Sequence, residues 1–110
     1  MGFSETRQGG VVVVRAEGQL IVGNRHELKE LVARRLADGE RRFVIDFSGT
    51  GYIDSSGLGA LVTMARQARE QGGELRIAGL NDDLRALFEL TKLDTLFAIS
   101  DTAEQALASF

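Results

Sequence analysis

Apolar residues fall along this chain in two rhythms, short unbroken runs and stripes at helical spacing. Four consecutive valines open a run that predicts a strand over Val11–Ala16, covered on both faces because nothing in it alternates. Phe3 to Gln8 reads as a shorter strand before it, with Gly9-Gly10 as the hairpin turn between them. Gly18 to Asn24 reads as a loop that ends in an N-cap at Asn24. The helix it opens, near Arg25 to Ala37, carries Leu28, Leu31, Val32 and Leu36 on one stripe and stops at Asp38-Gly39.

The pattern then repeats. Arg42 to Phe47 is short, apolar and rich in β-formers, which predicts a buried strand. Leu58, Leu61, Val62, Ala65 and Ala68 predict a helix from Gly57 to Gln71, stopped by Gly72-Gly73. Glu74–Ala78 reads as a third core strand. Asn81-Asp82-Asp83 is a capping cluster for a helix lined by Leu84, Leu87, Phe88 and Leu90. Leu96–Ile99 reads as one further strand, and Asp101 with Glu104 resembles a capping box that opens a last helix to Phe110.

Strands alternating with helices define an α/β layer structure, and the opening hairpin makes the sheet mixed. The expected architecture is a single domain over residues 1–110, with a four- to five-stranded sheet and four helices. At 110 residues, 44% hydrophobic and 26% charged, the chain has the composition of an ordinary globular domain. It has no cysteine and one histidine, which rules out thiolate chemistry, disulfides and a multi-histidine metal centre. A net charge of −3 with scattered basic residues argues against nucleic acid. No apolar run reaches the roughly 18 residues of a membrane span, and the start lacks a signal-peptide pattern. The expected location is cytoplasmic, without membrane insertion.

The chemistry concentrates in Tyr52–Gly59, where a strand hands over to a helix. The first N–H groups of a helix lack intrahelical acceptors, and its macrodipole favours negative charge there. Ser55 or Ser56 fits an N-cap, and a phosphate on that hydroxyl could draw on the same donors. Gly57 and Gly59 would let a partner's catalytic groups approach closely. Asp-Ser-Gly clusters also begin helices with no further function, so the local chemistry alone leaves a plain cap as the commoner explanation. Enzyme constellations fail. Ile53 stands where a nucleophile elbow needs glycine, no lysine completes a phosphate-binding loop, and His26 falls opposite Leu28 on its helix.

The run Asp54-Ser55-Ser56-Gly57-Leu58-Gly59 at this junction resembles the STAS domain of anti-sigma factor antagonists. Gly18-x-Leu20, Val44 to Phe47, Gly72 to Leu75 and Leu87 to Leu93 support the resemblance in that order and spacing. The resemblance implies that Ser55 is the phosphoacceptor in a partner-switching cycle. The unphosphorylated protein would bind an anti-sigma factor that is also an ATP-dependent serine kinase, releasing a sigma factor. Phosphorylation would break that complex, and a serine phosphatase would reverse it. The chain itself would need no cofactor or metal and would not be an enzyme. Ser56 would cap or support, Asp54 would shape the junction, and Gly57, Leu58 and Gly59 would form the docking surface.

One position departs from the pattern. Many antagonists carry Gly-Glu-Leu-Asp in the early loop, whereas this chain has Gly18-Gln19-Leu20-Ile21. Ile21 therefore counts among the expected partner-binding residues, and its lack of charge bears on which kinase acts. The alternative reading is a constitutive docking subunit of a signalling or transport assembly, with Ser55 never modified. A phosphoryl carrier or hydrolase is the third. The expected assembly state is a monomer or a weak dimer formed through an exposed Met64 or the valine strand.

Overall fold

The computed structural model describes residues 2–110. Its elements are β1 (Gly2–Gln8), β2 (Val11–Leu20), α1 (Arg25–Ala37), β3 (Arg42–Ile53), α2 (Ser55–Glu70), β4 (Glu74–Ala78), α3 (Asp82–Leu90), a 3-10 turn at Leu93–Thr95, β5 (Ile99–Ser100) and α4 (Ala103–Ala108). Together they form a single α/β domain around a five-stranded sheet of order β1-β2-β3-β4-β5. The β1–β2 pair is antiparallel and the other three pairs are parallel. Gly9 and Gly10, with φ of 58° and 82°, make the tight hairpin turn that right-twisted strands favour.

The valine run is covered on both faces. Val12 and Val14 join Phe43, Ile45, Phe47 and Ile77 under α1, α2 and α3. Val11 and Val13 face the other way, onto Val44, Ala78 and Ala106 of α4. Leu28, Val32 and Leu36 of α1 and Leu58, Leu61, Met64 and Ala68 of α2 complete the main core. Met64 is fully buried, so neither it nor the valine strand offers a self-association surface.

Two strands run further than the hydrophobic runs suggest. β2 continues through Gly18 and Gln19 to Leu20, where a loop was expected, and β3 passes Ser48 and Gly49 to end at Ile53. Their register shifts twice on the way, with the extra residues on β3. Such bulges hide a strand from periodicity, because they break the two-residue alternation. The buried hydroxyl of Thr50 donates to the Ala16 carbonyl at 2.9 Å and ties the irregular stretch together.

Smaller differences follow from local competition. Leu96–Ile99 is not a strand of that extent. Phe97 turns inward against Phe88, with ring centroids 6.2 Å apart, and only Ile99–Ser100 pairs with β4. Leu90 ends α3 exposed instead of lining it. The last helix is opened by Thr102 and Gln105, one residue beyond the expected Asp101 and Glu104, because both halves of this capping box are made there.

Candidate functional site

β2 and β3 end side by side, and each feeds a helix from the same edge of the sheet. Open α/β sheets place their sites at such edges. Ile53, the last residue of β3, is followed at once by Asp54, the N-cap of α2, so the connection expected between Phe47 and Gly57 shrinks to a one-residue junction. The Asp54 N–H donates to the Leu20 carbonyl at 3.1 Å, which joins the ends of the two strands.

Asp54, not a serine, is the cap. Its Oδ1 accepts from the Gly57 N–H at 2.8 Å and from the Ser56 hydroxyl at 2.6 Å. Its Oδ2 accepts from the Val22 N–H at 3.1 Å, across the junction in the β2–α1 loop. One carboxylate thus fastens a helix start to a neighbouring loop. The Ser56 hydroxyl, followed by the backbone N–H donors, holds Asp54 below its ordinary range, because each bond favours the charged form. A carboxylate is better suited than a hydroxyl here, since it offers two acceptor oxygens and a full charge to the helix dipole.

The other loop is fastened by Asn24. Its Oδ1 accepts from the Ile21 N–H at 2.9 Å and its Nδ2 donates to the Gln19 carbonyl at 2.7 Å. Asn24 precedes α1 but makes no side-chain capping bond, because its amide is spent inside the loop. Ile21, half-buried, is held by these bonds and takes the N–H groups of Asn24 and Arg25 on its carbonyl.

The expected site residues separate into three groups. Ser55 lies on the first turn of α2, exposed, and its hydroxyl has no hydrogen-bond partner among the described residues. Gly59 is exposed on the next turn, with open space where a side chain would stand. Gly57 and Leu58, expected at the docking surface, turn inward and are buried. A Cβ on Gly57 would lie 2.6 Å from the Leu20 carbonyl oxygen, so this glycine lets α2 sit against the end of β2. Asp54 and Ser56 are bonded to each other and act as bracing.

Two exposed residues beside Asp54 had no role assigned from the sequence, although Tyr52 begins the Tyr52–Gly59 run. Val22 and Tyr52 are 62% and 57% exposed, and they flank Asp54 in the loop and at the end of β3. Val22 was hidden in an expected loop, and Tyr52 in a strand extension that the bulges concealed. Single apolar residues on a surface are common. These two stand out because the Val22 N–H bonds to Asp54, the residue before Ser55, and Tyr52 lies two residues ahead of Asp54 in the chain. His26 is exposed on α1, and Asp46 lies within β3, its Oδ1 accepting from the Ser48 N–H. Among the described residues no group of acidic or histidine side chains could hold a metal ion. No helix among them is long and apolar enough to cross a membrane.

The chain and its fold match known proteins over nearly their whole length. A family profile for the STAS domain covers residues 4–106. The anti-sigma-B factor antagonist of Staphylococcus aureus is 30% identical over 104 residues, 94% of this chain and 96% of its own length. A crystal structure of a Thermotoga maritima protein assigned as an anti-sigma factor antagonist superimposes with a TM-score of 0.91 at 26% identity, covering 97% of this chain and 92% of that one. The phosphorylated form of SpoIIAA, a Bacillus cell-fate determinant, shares the fold with a TM-score of 0.78 at 19% identity, covering 98% of each chain. The chain belongs to the STAS-domain family of anti-sigma factor antagonists.

Proposed function

We propose that this chain is an anti-sigma factor antagonist controlled by phosphorylation of Ser55. In the unphosphorylated state it binds an anti-sigma factor that is also a serine kinase, and a sigma factor is released. The kinase, bringing ATP and magnesium, then transfers a phosphoryl group. The Ser55 Oγ–P bond forms, the bond from the γ-phosphorus to the bridging oxygen of ADP breaks, and the hydroxyl proton leaves to a base on the kinase. A serine phosphatase hydrolyses the ester and resets the cycle. The chain is substrate and competitor, and turns nothing over itself.

The observation that carries this reading is the contrast between adjacent hydroxyls. Ser56 is committed to Asp54, while the Ser55 hydroxyl is exposed on the first turn of α2 with no hydrogen-bond partner among the described residues. A kinase can take the second without breaking a native contact. The effect of the phosphate also follows from the surroundings. Asp54 already accepts the Gly57 N–H, so a phosphate on Ser55 gains little from the helix start. It adds about −1.5 to −2 charges beside an existing carboxylate, on a surface whose exposed neighbours Val22 and Tyr52 are apolar. A partner packed on those side chains would have to desolvate that charge. The fold is left intact and the interface is lost.

Ile21 gives the docking surface its character. This loop carries Ile21 and Val22 and no acid, so the partner face should be largely apolar and its binding little dependent on salt. The test is recovery of partners from native lysate on Ser55→Ala and Ser55→Asp baits. An ATP-binding anti-sigma kinase held by the first and bound at least about tenfold more weakly by the second supports the switch. Equal recovery on both baits would point to a constitutive docking module.

A further inference from the structure

β1 is the outer strand of the sheet, and its far side is unpaired. Sheets usually guard such an edge with charged side chains, proline, a bulge or a very short strand. β1 has no proline or lysine and no bulge across its seven residues, which pair with β2 without interruption. Its two charged side chains are drawn toward neighbouring residues of its own chain instead. Arg7 meets Glu40 at 2.8 Å, and Glu5 meets Arg35 of α1 at 3.1 Å.

The Gly9-Gly10 turn decides which backbone groups face outward. Gln8 and Val11 close the turn, so their N–H and carbonyl groups bond to each other. Bonding alternates along an antiparallel ladder. Gln8, Thr6 and Ser4 therefore bond to β2, while Arg7, Glu5 and Phe3 point their N–H and carbonyl groups away from the sheet.

We propose that this edge pairs with the same edge of a second copy of the chain, antiparallel and two-fold symmetric about Thr6. The two five-stranded sheets become one of ten. Such a pairing must set outward-facing residues opposite one another, and three registers do so with five or more residues overlapping: those centred on Ser4, Glu5 and Thr6. The register about Glu5 opposes two carboxylates. The one about Ser4 faces Phe3 with Glu5 and leaves Arg7 unmatched. About Thr6, Glu5 faces Arg7 of the second copy twice and Thr6 faces Thr6, which are favourable cross-strand pairs. The charges then alternate in sign from Arg35 through Glu5 to Arg7 and Glu40 of the second copy.

A single strand edge is far less contact than a constitutive dimer buries, so the association depends on concentration. Its geometry has a consequence. The two β2 strands run in opposite directions, which sends the two Ser55 edges to opposite sides of the joined sheet. Each dimer would offer two partner sites that do not obstruct each other.

The chain has no cysteine of its own, which makes cross-linking a clean test. In the Thr6-centred register the two Thr6 residues form a non-hydrogen-bonded pair, about 4.5 Å between Cα atoms. That is within disulfide reach. Under mild oxidation Thr6→Cys should dimerise at least about tenfold faster than Ser4→Cys, which the two-fold pairing places well beyond that reach, or Glu104→Cys on α4. Glu5→Pro removes an outward N–H and spares every bond to β2. It should keep the wild-type melting transition while losing the dimer in sedimentation at rising concentration. Equal cross-linking of all three cysteine variants, or none, overturns the proposal. So does a Glu5→Pro variant that stays folded and dimeric. A chain that is monomeric with Thr6 free, but loses a partner protein on Glu5→Pro, would show that the edge receives another protein's strand and would equally overturn it.

Discussion

α1 and α2 start at the same edge of the sheet, each just beyond a parallel strand, yet the two starts are built on opposite plans. At α2 the residue before the helix is Asp54, whose carboxylate caps the helix and reaches across to Val22. At α1 the residue before the helix is Asn24, whose amide bridges Ile21 and Gln19 and leaves the helix N–H groups uncapped by a side chain. One start is reinforced as a helix end and the other as a loop. The difference shows how a serine can be left free. Because Asp54 and Asn24 do the fastening, Ser55 is not needed for structure. Its hydroxyl remains available.

The comparison breaks most severely at Gly57, where α2 touches the end of β2. Gly57→Ala should destabilise the fold by about 1–3 kcal/mol in denaturant unfolding, because the new Cβ meets a backbone carbonyl that cannot swing aside. Gly59→Ala, two residues on, should do the reverse. With open space around it, the substitution removes a poor helix former and should add up to about 1 kcal/mol. Opposite signs would separate a packing glycine from one that only keeps the surface clear. If both variants lose stability, Gly59 has a structural task as well.

Asp54 comes next. Asp54→Asn keeps a capping side chain but loses the charge, and at neutral pH should lower the melting temperature by roughly 5 °C. The sign with pH follows from the depressed carboxyl. Because its folded value lies below the unfolded one, near 3.9, its stabilisation is complete above that value and is lost as pH falls through the folded value. The gap between wild type and Asp54→Asn should therefore be full at pH 6 and close progressively below pH 4. A gap that is the same at both ends would mean the carboxylate charge is not what holds the junction. Asn24→Ala, which removes two loop bonds, should cost about 1–2 kcal/mol with no such pH dependence.

These contrasts also mark how far the sequence could be read. The helix α1 and the strand β4 follow directly from their apolar spacing, because both bury one regular face. The ends of β2 and β3 do not, since bulges between Arg15 and Leu20 remove the alternation that would announce them. The family resemblance singled out Ser55 as the phosphoacceptor, but that its hydroxyl is unbonded was not legible, and the cap was assigned to Ser55 or Ser56 instead of Asp54. An Asp, Ser, Ser series offers three N-cap candidates, and which one caps depends on where the strand ends. The inward turn of Gly57 and Leu58 depends on the same one-residue offset. Val22 could not be set beside the Tyr52–Asp54 junction until the two strand ends were known to lie together.

The smallest expected effect is the most informative. Ser55→Ala removes a hydroxyl with no partner among the described residues, so its unfolding free energy should match wild type within about 0.5 kcal/mol. Ser56→Ala should lose measurably more, because it takes away the bond that most strongly holds the Asp54 charge. The pair thus compares a serine that the fold uses with one that it does not. If phosphate incorporation vanishes in Ser55→Ala while stability is unchanged, the hydroxyl serves only the switch. If Ser55→Ala destabilises as much as Ser56→Ala, the two serines share the bracing of the helix start. A kinase would then have to break native structure to reach its target, and the Ser55 hydroxyl would not be left free for modification.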